Sequence, residues 1–405
     1  MKEAGRSLGL VLAVFGLLYN VSFLVAPSVS TGRVALLLLL LWTGRRGVEE
    51  VIAFLRIHWV ESALFAIVTL YQCVLYVSAS FADFTQLSRL IHLALFAGVG
   101  GLVVAVACRL EILRFVEAFT AAVTLQSLFI GYSFASAGYR EWLSSLVIQG
   151  GNVPLTSGFQ PPGFSNGAGA ALSLIQGLGV FTALYGVRFA PRARERLLFG
   201  IAGVANALST LVVARTGMQM ALVFVLVFAL TGGVGTLMRY AGIATTVVIV
   251  VALIGGRIVT ALTDVNPKLP ASLERDVRLF LEGRQEASFR ELLSQPVPAL
   301  NVETVLGTGL VAAPDRVRNA SGNDSGYIET YFALGLPMAT VFYAMMLMLT
   351  SLLWARTHYE PLLGALIGVM FVVELKEPFM FKYAYPFLAL TLLWLRQGVA
   401  LTHSS

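Results

Sequence analysis

Charge is scarce in this sequence of 405 residues, because only 12% of the residues are charged and 57% are hydrophobic. Soluble domains are typically about 25% charged and about half apolar, so this composition excludes a water-soluble enzyme. Cysteine is scarce too: the chain has 2, Cys73 and Cys108, and both lie inside apolar segments. They indicate neither a disulfide framework nor a thiolate metal site.

Histidine and nucleotide-binding motifs are also rare or missing. The 4 histidines are scattered without the spacing of metal ligands, so we expect no metal site. The sequence has no P-loop and no dinucleotide fingerprint after a strand, which argues against ATP hydrolysis and nicotinamide chemistry. The net charge of +6 comes from short basic clusters between apolar segments. Such clusters set membrane orientation, and we therefore expect no nucleic-acid partner and no cofactor.

Long apolar runs are what the sequence has in abundance. Runs of about 17 to 25 residues, long enough to cross a hydrocarbon core about 30 Å thick, recur along the whole chain. They predict an all-α polytopic membrane protein with about 12 (10–12) transmembrane helices. The predicted spans are approximately 8–25, 28–43, 60–81, 89–107, 115–135, 168–187, 197–214, 217–237, 240–260, 326–353, 360–375 and 384–397.

The spans predict three regions: residues 1–262 with spans one to nine and an outer loop at 136–169, a large periplasmic loop at 263–325, and the last three spans at 326–405. Apolar residues at helical spacing in the large loop predict one or two amphipathic helices on the membrane surface. With the N-terminus inside, fourteen Lys and Arg lie on the cytoplasmic side and seven in the short outer connections. This bias predicts that both termini are cytoplasmic.

Arginines at the predicted outer boundary are the first candidates for binding a ligand. Arg215 directly precedes a span that runs inward, so the positive end of that helix, near Thr216 and Gly217, lies at the same outer place. A guanidinium beside a helix N-terminus suits a phosphate anion. The alternative is an ordinary interfacial arginine whose side chain extends to the lipid headgroups.

Three further arginines in the large loop can be ranked as ligand contacts by whether a glutamate in the same helix can form an ion pair with them. Arg278 and Arg290 each have a glutamate four residues before them, Glu274 and Glu286, which can neutralise them within one helix. Arg284 has only Leu, Phe, Ala and Ser three and four positions away. We therefore favour Arg284 as the arginine that contacts a ligand, and the alternative is a solvated helix face.

Carboxylates and lysines at predicted outer boundaries form a second group of candidates. They are Asp324, Glu329, Glu374, Glu377, Lys376 and Lys382. Charged residues at a membrane boundary are costly unless they line a wet cavity or pair with one another. A carboxylate that faces a bound sugar can act as a general base. The alternative is an ion-pair cluster that ties two spans together.

The order of four motifs resembles a known family. RTG opens a long span at 215–217, the large loop ends in GTG at Gly307 to Gly309 followed by DSGYIETYFALGLP, and ELKEPFMF comes late. Arg140, with Gly151 after it, matches a loop pattern of the same family. From about residue 140 to residue 382, the chain therefore resembles the polytopic O-antigen polymerase and ligase superfamily, and in particular the Wzy-type oligosaccharide repeat-unit polymerases.

This resemblance implies a periplasmic-face glycosyltransferase in the bacterial inner membrane. Its substrate is expected to be an undecaprenyl-diphosphate-linked oligosaccharide, with membrane lipid and a chain-length regulator protein as further partners, and no cofactor. The residues expected to bind the diphosphate are Arg140, Arg215, Arg278, Arg284 and Arg290, with Arg215, Arg284 and Arg140 preferred. The glycan is expected to contact Tyr327, Lys376 and Lys382. The catalytic base is expected among Asp324 and Glu329 first, and Glu374 and Glu377 second.

Three other functions remain open from the sequence. An O-antigen ligase resembles this topology but is expected to use a histidine in its large loop, and residues 263–325 contain none. A secondary transporter is expected to carry its polar residues near the membrane midplane on broken helices, whereas the charges here gather at one face. Nothing in the sequence favours a membrane scaffold for polysaccharide export.

Overall fold

The computed structural model describes residues 2–79, 83–150, 155–156, 160–167, 169–232, 294–312 and 319–402. Among them, six helices are long and apolar enough to cross a membrane: Trp59–Ser78, Thr85–Ala107, Ile112–Ala135, Ala170–Phe189, Ala193–Val213 and Gly326–Arg356. Three shorter apolar helices are Gly5–Tyr19, Thr216–Thr231 and Pro361–Val373. The structure therefore fits the predicted all-α membrane class.

The helices have the following bounds. They are α1 Lys2–Tyr19, α2 Thr31–Ile57, α3 Trp59–Ser78, α4 Thr85–His92, α5 Gly100–Ala107, α6 Ile112–Ala135, α7 Ala137–Leu146, α8 Ala170–Phe189, α9 Ala193–Val213, α10 Arg215–Thr231, α11 Val302–Leu306, α12 Gly326–Arg356, α13 Pro361–Val373 and α14 Ala384–Thr402. A π-helix, Leu93–Val99, joins α4 to α5, and a 3-10 turn, Phe379–Phe381, precedes α14. Two antiparallel strands, β1 Ser22–Phe23 and β2 Ala26–Ser30, follow α1.

Large apolar side chains cover the outside of the bundle as well as its inside. Leu37, Leu41 and Leu70 are 58%, 71% and 66% exposed, while Phe119 and Phe387 stack in the core with ring centroids 6.3 Å apart. A soluble bundle places charged residues on its outer face. The apolar outer face therefore suits a bilayer.

Side-chain contacts between helices define two ends of the bundle. At one end, the Ser173 hydroxyl donates to the Ala214 carbonyl at 2.5 Å, so the starts of α8 and α10 are neighbours. At the other end, Arg188 Nη1 donates to Thr231 Oγ1 at 2.9 Å, and the last turns of the same helices meet there. We call the first the loop end, because it carries residues 20–30, 136–169 and 374–383, and the second the opposite end.

Helix α12 is two helices joined at Gly335. Gly335 has φ 79° and ψ 159°, a conformation that glycine tolerates and that interrupts the helix. Pro337 has no N–H, so it cannot donate to the Ala333 carbonyl as the fourth residue of a helix would. Gly309 N donates to that carbonyl instead, at 2.9 Å. The Gly-x-Gly element of the sequence therefore completes the backbone hydrogen bonds of a broken helix.

The two parts of α12, residues 326–334 and 336–356, fold back on each other. The Tyr343 hydroxyl lies 2.9 Å from Thr330 Oγ1 and 3.2 Å from the Gly326 carbonyl. In one continuous helix, 13 residues would separate Thr330 from Tyr343 by about 20 Å. The predicted span at 326–353 is therefore corrected: the uninterrupted helix begins at residue 336, and residues 326–334 lie beside it.

Other predicted boundaries also change. The first predicted span, 8–25, ends as a helix at Tyr19, because the chain then turns into the two strands. The second, 28–43, continues as α2 to Ile57, with a break at Gly44 (φ 57°, ψ −141°). The predicted amphipathic helices of the large loop and the span at 240–260 lie outside the described residues. The described part of the large loop includes α11, which packs against α12.

Candidate functional site

Glu374 is a fully buried carboxylate at the loop end, directly after α13. Its exposed fraction is 0%. One carboxylate oxygen accepts a hydrogen bond from the Tyr343 hydroxyl at 2.8 Å, and the other accepts from Met380 N at 2.9 Å. Gly326 packs so closely that an added Cβ would lie 2.6 Å from Glu374 Oε1. The carboxylate is therefore held between the end of α13 and the start of α12.

Burial raises the pKa of Glu374 to about 7, although hydrogen bonds from Met380 and Tyr343 and the charge of Lys382 act in the opposite direction. Desolvation penalises the charged form of a carboxylic acid, which is why burial dominates. A carboxyl group with a pKa near neutrality can gain and lose a proton at physiological pH. This is the property that a general base needs.

Two tyrosines lie beside Glu374. The rings of Tyr327 and Tyr343 are 4.7 Å apart between centroids, and both side chains are half-buried. The Tyr327 hydroxyl donates to the Phe371 carbonyl at 2.9 Å. Tyr327 was a predicted glycan contact, and the structure places it next to one of the four candidate carboxylates.

Residues 374–383 bring three predicted site residues to the start of α10. Lys376 Nζ lies 3.5 Å from Thr216 Oγ1, and Arg215 is the first residue of α10. The Arg215 backbone is described, whereas its side chain lies outside the description. Glu377 and Lys382 form an ion pair with a separation of 2.5 Å. The RTG and ELKEPFMF motifs, 160 positions apart between Thr216 and Lys376, therefore meet in space.

The start of α10 is held closely against α8. Gly217 N donates to the Ser173 hydroxyl at 3.0 Å, and a Cβ on Gly217 would lie 2.0 Å from the Ser173 carbonyl oxygen. Only glycine fits this approach of two helices. The glycine of the RTG motif therefore fixes the first turn of α10 against α8.

The other two candidate carboxylates have partners of their own. Glu329, which is 3% exposed, forms an ion pair with Arg89 of α4. Asp324 is exposed and accepts hydrogen bonds from Asn319 and Gln295, each at 3.1 Å. Neither carboxylate has a contact with Glu374 in the described part of the chain.

Arg140 is nine-tenths buried at the end of α6. Its Nη1 donates to the carbonyls of Ser133 at 2.5 Å and Phe134 at 3.2 Å, and its Nε donates to the Thr156 carbonyl at 3.2 Å. A cation at the last carbonyls of a helix is stabilised by the helix dipole. Arg140 therefore ties the 136–169 loop to α6.

Three predicted arginines, Arg278, Arg284 and Arg290, lie outside the described residues. Their position relative to Arg215 therefore stays a prediction. Within the described ranges, no group of three or more His, Cys, Asp or Glu side chains is placed to hold a metal ion.

A buried, uncharged polar network lies below the 136–169 loop. Ser127 Oγ is 2.7 Å from Gln176 Oε1 and 2.8 Å from Asn206 Oδ1. Gln176 Nε2 donates to the Tyr19 hydroxyl at 3.1 Å. These residues join α1, α6, α8 and α9 by hydrogen bonds inside an apolar core, where each bond is worth more than in water.

An apolar groove of about 650 Å³ opens between α1, α2 and α6. Its rim at the loop end includes Phe23, Thr31 and Phe164, and its floor includes Ala13 and Gly16. Every lining residue except Thr31 is apolar or glycine. The groove can therefore hold a hydrocarbon chain.

Sequence reasoning missed two residues of this site. Tyr343 was hidden in an apolar run, and Arg89 was counted only as an outer cation. The Gly335-x-Pro337 pattern within the run is the signal that could have revealed the fold-back and hence Tyr343. No comparable signal pairs Arg89 with Glu329, which are 240 positions apart.

Comparison of the chain with protein-family models and with curated protein sequences gives no match.

Proposed function

We propose that this protein is a glycosyltransferase that polymerises undecaprenyl-diphosphate-linked oligosaccharide repeat units at the periplasmic face of a bacterial inner membrane. In this proposal the chain crosses the membrane about twelve times, both termini are cytoplasmic, and the loop end, with the large loop at 263–325, is periplasmic. The observation that carries the proposal is the meeting of Glu374, the two tyrosines and Lys376 with the helix start that Arg215 opens.

Glu374 is the best candidate for the general base among the four predicted carboxylates. Glu329 and Glu377 are each engaged in an ion pair, with Arg89 and Lys382 respectively. Glu374 has no exposed surface, whereas Tyr343 is half-buried and bonded to it. We therefore assign the proton route from the acceptor hydroxyl through Tyr343 to Glu374.

The transfer step releases a diphosphate, and nearby positive charge is needed to stabilise the negative charge that develops on it. The acceptor oxygen bonds to the anomeric carbon of the donor as the bond from that carbon to the diphosphate oxygen breaks, and the acceptor proton passes to Glu374. Undecaprenyl diphosphate is the leaving group. Arg215, the N-terminus of α10 and Lys376 would stabilise the developing charge. Arg284 would approach from the large loop.

In this proposal the apolar groove holds the lipid chain of the substrate. Thr31 at its rim accepts a hydrogen bond from Val21 N. The neighbouring Gly32 packs against Phe96, whose ring lies 5.2 Å from that of Tyr383, the last residue of the 374–383 connection. A chain in the groove would therefore keep its head group at the loop end, beside the candidate site.

Purified protein in proteoliposomes, supplied with a synthetic undecaprenyl-diphosphate repeat unit, tests the proposal. We expect a ladder of products. Arg215→Ala and Glu374→Gln should each lower the rate at least about 100-fold. The matched control is Arg194→Ala, which removes an exposed arginine at the opposite end and should leave the rate unchanged.

Two outcomes would contradict the polymerase, and a third would contradict the role of Arg215. Product that forms only with added lipid A core would indicate the ligase. Movement of the intact substrate across the membrane without product would indicate a transporter. An unchanged ladder of products in Arg215→Ala would show that Arg215 does not bind the diphosphate.

A further inference from the structure

The second half of α2, residues 45–57, is a helix of its own at the opposite end of the bundle. Gly44 breaks α2 with φ 57° and ψ −141°. Beyond the break, Trp394 Nε1 donates to Glu50 Oε2 at 3.1 Å, and His58 Nε2 lies 3.1 Å from Gln397 Oε1. Both partners belong to the late turns of α14. We call residues 45–57 the surface helix.

The surface helix contacts α14 at two unequally spaced points. Glu50 and His58 are separated by about 12 Å of helical rise, whereas their partners, Trp394 and Gln397, are separated by only about 4.5 Å. Two helices that ran side by side would make contacts with equal spacing. The spacings therefore differ from those of a side-by-side pair, and the break at Gly44 separates the surface helix from residues 31–43.

Its side chains divide into three sectors. One sector is buried against the bundle and includes Gly47 and Phe54. A second sector is apolar and exposed: Val48, Ile52, Leu55 and the following Trp59 are 50%, 51%, 50% and 67% exposed. At 100° per residue, Val48, Ile52 and Leu55 lie within about 60° of one another, and Trp59 begins α3 directly after the surface helix.

The third sector carries the charges. Four charged side chains are exposed: Arg45, Arg46, Glu49 and Arg56. They lie on one side of the apolar sector, and the buried sector lies on the opposite side of it. Arg45 pairs with Glu49 at 2.7 Å. Arg46 and Arg56 make no ion pair with any residue that the structure describes. The helix therefore presents two free guanidinium groups next to an exposed apolar strip.

We propose that the surface helix binds anionic phospholipid headgroups, with Arg46 and Arg56 on the phosphates and the strip of Val48, Ile52 and Leu55 in the acyl region. An amphipathic helix with arginines on its polar side and aliphatic or tryptophan side chains on the other lies in the plane of a membrane interface. One guanidinium group can donate two parallel hydrogen bonds to the oxygens of one phosphate. The excess of positive charge favours anionic over zwitterionic lipid. The proposal does not depend on the glycosyltransferase function.

Quenching of Trp59 by brominated lipids tests this surface. The full-length protein is reconstituted in two series of vesicles. In one, dibrominated phosphatidylglycerol is mixed with unbrominated phosphatidylcholine, and in the other, dibrominated phosphatidylcholine is mixed with unbrominated phosphatidylglycerol. The difference between the parent protein and Trp59→Phe isolates the signal of Trp59. We expect half-maximal quenching at a mole fraction of phosphatidylglycerol at least about fivefold lower than that of phosphatidylcholine.

Arginine variants separate headgroup binding from general net charge. Arg46→Gln with Arg56→Gln should bring the two lipids to equal quenching, whereas Arg46→Lys with Arg56→Lys should keep most of the preference. Arg192→Gln with Arg194→Gln removes two exposed arginines from the α8–α9 connection at the same end and should keep the full preference. Equal quenching in the parent, an unchanged preference in the Gln pair, or no quenching by either lipid would overturn the proposal.

Discussion

Burial has the largest effect on the pKa of the Glu374 carboxylate. Both of its oxygens accept hydrogen bonds, from Tyr343 and Met380, but these bonds do not cancel the cost of removing the carboxylate from water. Asp83 shows the opposite balance: burial raises its pKa, but hydrogen bonds from Thr85, Ala312 and Val311 outweigh this and lower the pKa. Asp83 therefore anchors the 306–312 segment through Val311 N and Ala312 N, whereas Glu374 can exchange a proton near neutral pH.

The raised pKa of Glu374 predicts a pH-dependent stability. Because the folded pKa of about 7 lies above the ordinary 4.5, the folded state holds this proton more tightly. The stabilisation is complete below pH 4.5 and is lost as the pH rises through 7. The loss amounts to about 3 kcal/mol of unfolding free energy.

Thermal unfolding in a mild detergent, followed by circular dichroism from pH 5 to pH 8, measures this effect. Other groups titrate in the same interval, so the comparison is with Glu374→Gln, a neutral side chain of the same shape. The melting temperature of the parent should fall with pH more steeply than that of the variant. Parallel curves would show that Glu374 is charged throughout.

At the scale of elements, breaks in helices place the candidate site. The first part of α12 turns back at Gly335, and this brings Gly326 and Thr330 to Tyr343. The 306–309 segment fits into the break, where Thr308 N donates to the Phe332 carbonyl at 2.9 Å. A straight α12 would leave both Tyr343 and the carboxylate of Glu374 without these neighbours.

Gly335→Ala should therefore unfold the site locally and destabilise the protein. An added Cβ would lie 2.5 Å from the Leu306 carbonyl carbon, and the positive φ of 79° would strain the backbone. We expect a loss of about 2–5 kcal/mol from the two effects together. Gly322→Ala is the matched control, since it has a similar φ of 68° but its nearest contact is 3.6 Å away.

Chemical denaturation of the two variants measures the difference. The control should lose only about 1–2 kcal/mol, which is the cost of the backbone strain alone. Equal losses in the two variants would mean that the 306–309 segment does not pack against the break.

The sequence predicted the class of the whole molecule well, because apolar runs of spanning length depend only on composition. The role of ELKEPFMF and RTG in one site stays a prediction, which the contact between Lys376 and Thr216 supports. Sequence reasoning did not predict three features that depend on long-range packing: the fold-back of α12, the pairing of Glu329 with Arg89, and the hydrogen bonds of Arg140 to the last carbonyls of α6. The predicted diphosphate-binding role of Arg140 stays a prediction. The hydrophobicity pattern of a sequence does not indicate which residues will contact each other when they lie 240 positions apart.

The two ends of the molecule differ in a way that predicts its orientation. Exposed arginines such as Arg46, Arg56 and Arg194 gather at the opposite end, and basic residues are retained on the cytoplasmic side of a membrane. This distribution supports the proposed orientation, in which the loop end and the candidate site face the periplasm. Single cysteines on a background without Cys73 and Cys108 test this directly, with Ser28→Cys at the loop end and Arg194→Cys at the opposite end, both at exposed positions. In intact spheroplasts, a membrane-impermeant maleimide should label the first cysteine and reach the second only after permeabilisation. The reverse pattern would place Glu374 and Lys376 on the cytoplasmic side, where a periplasmic glycosyl transfer could not use them.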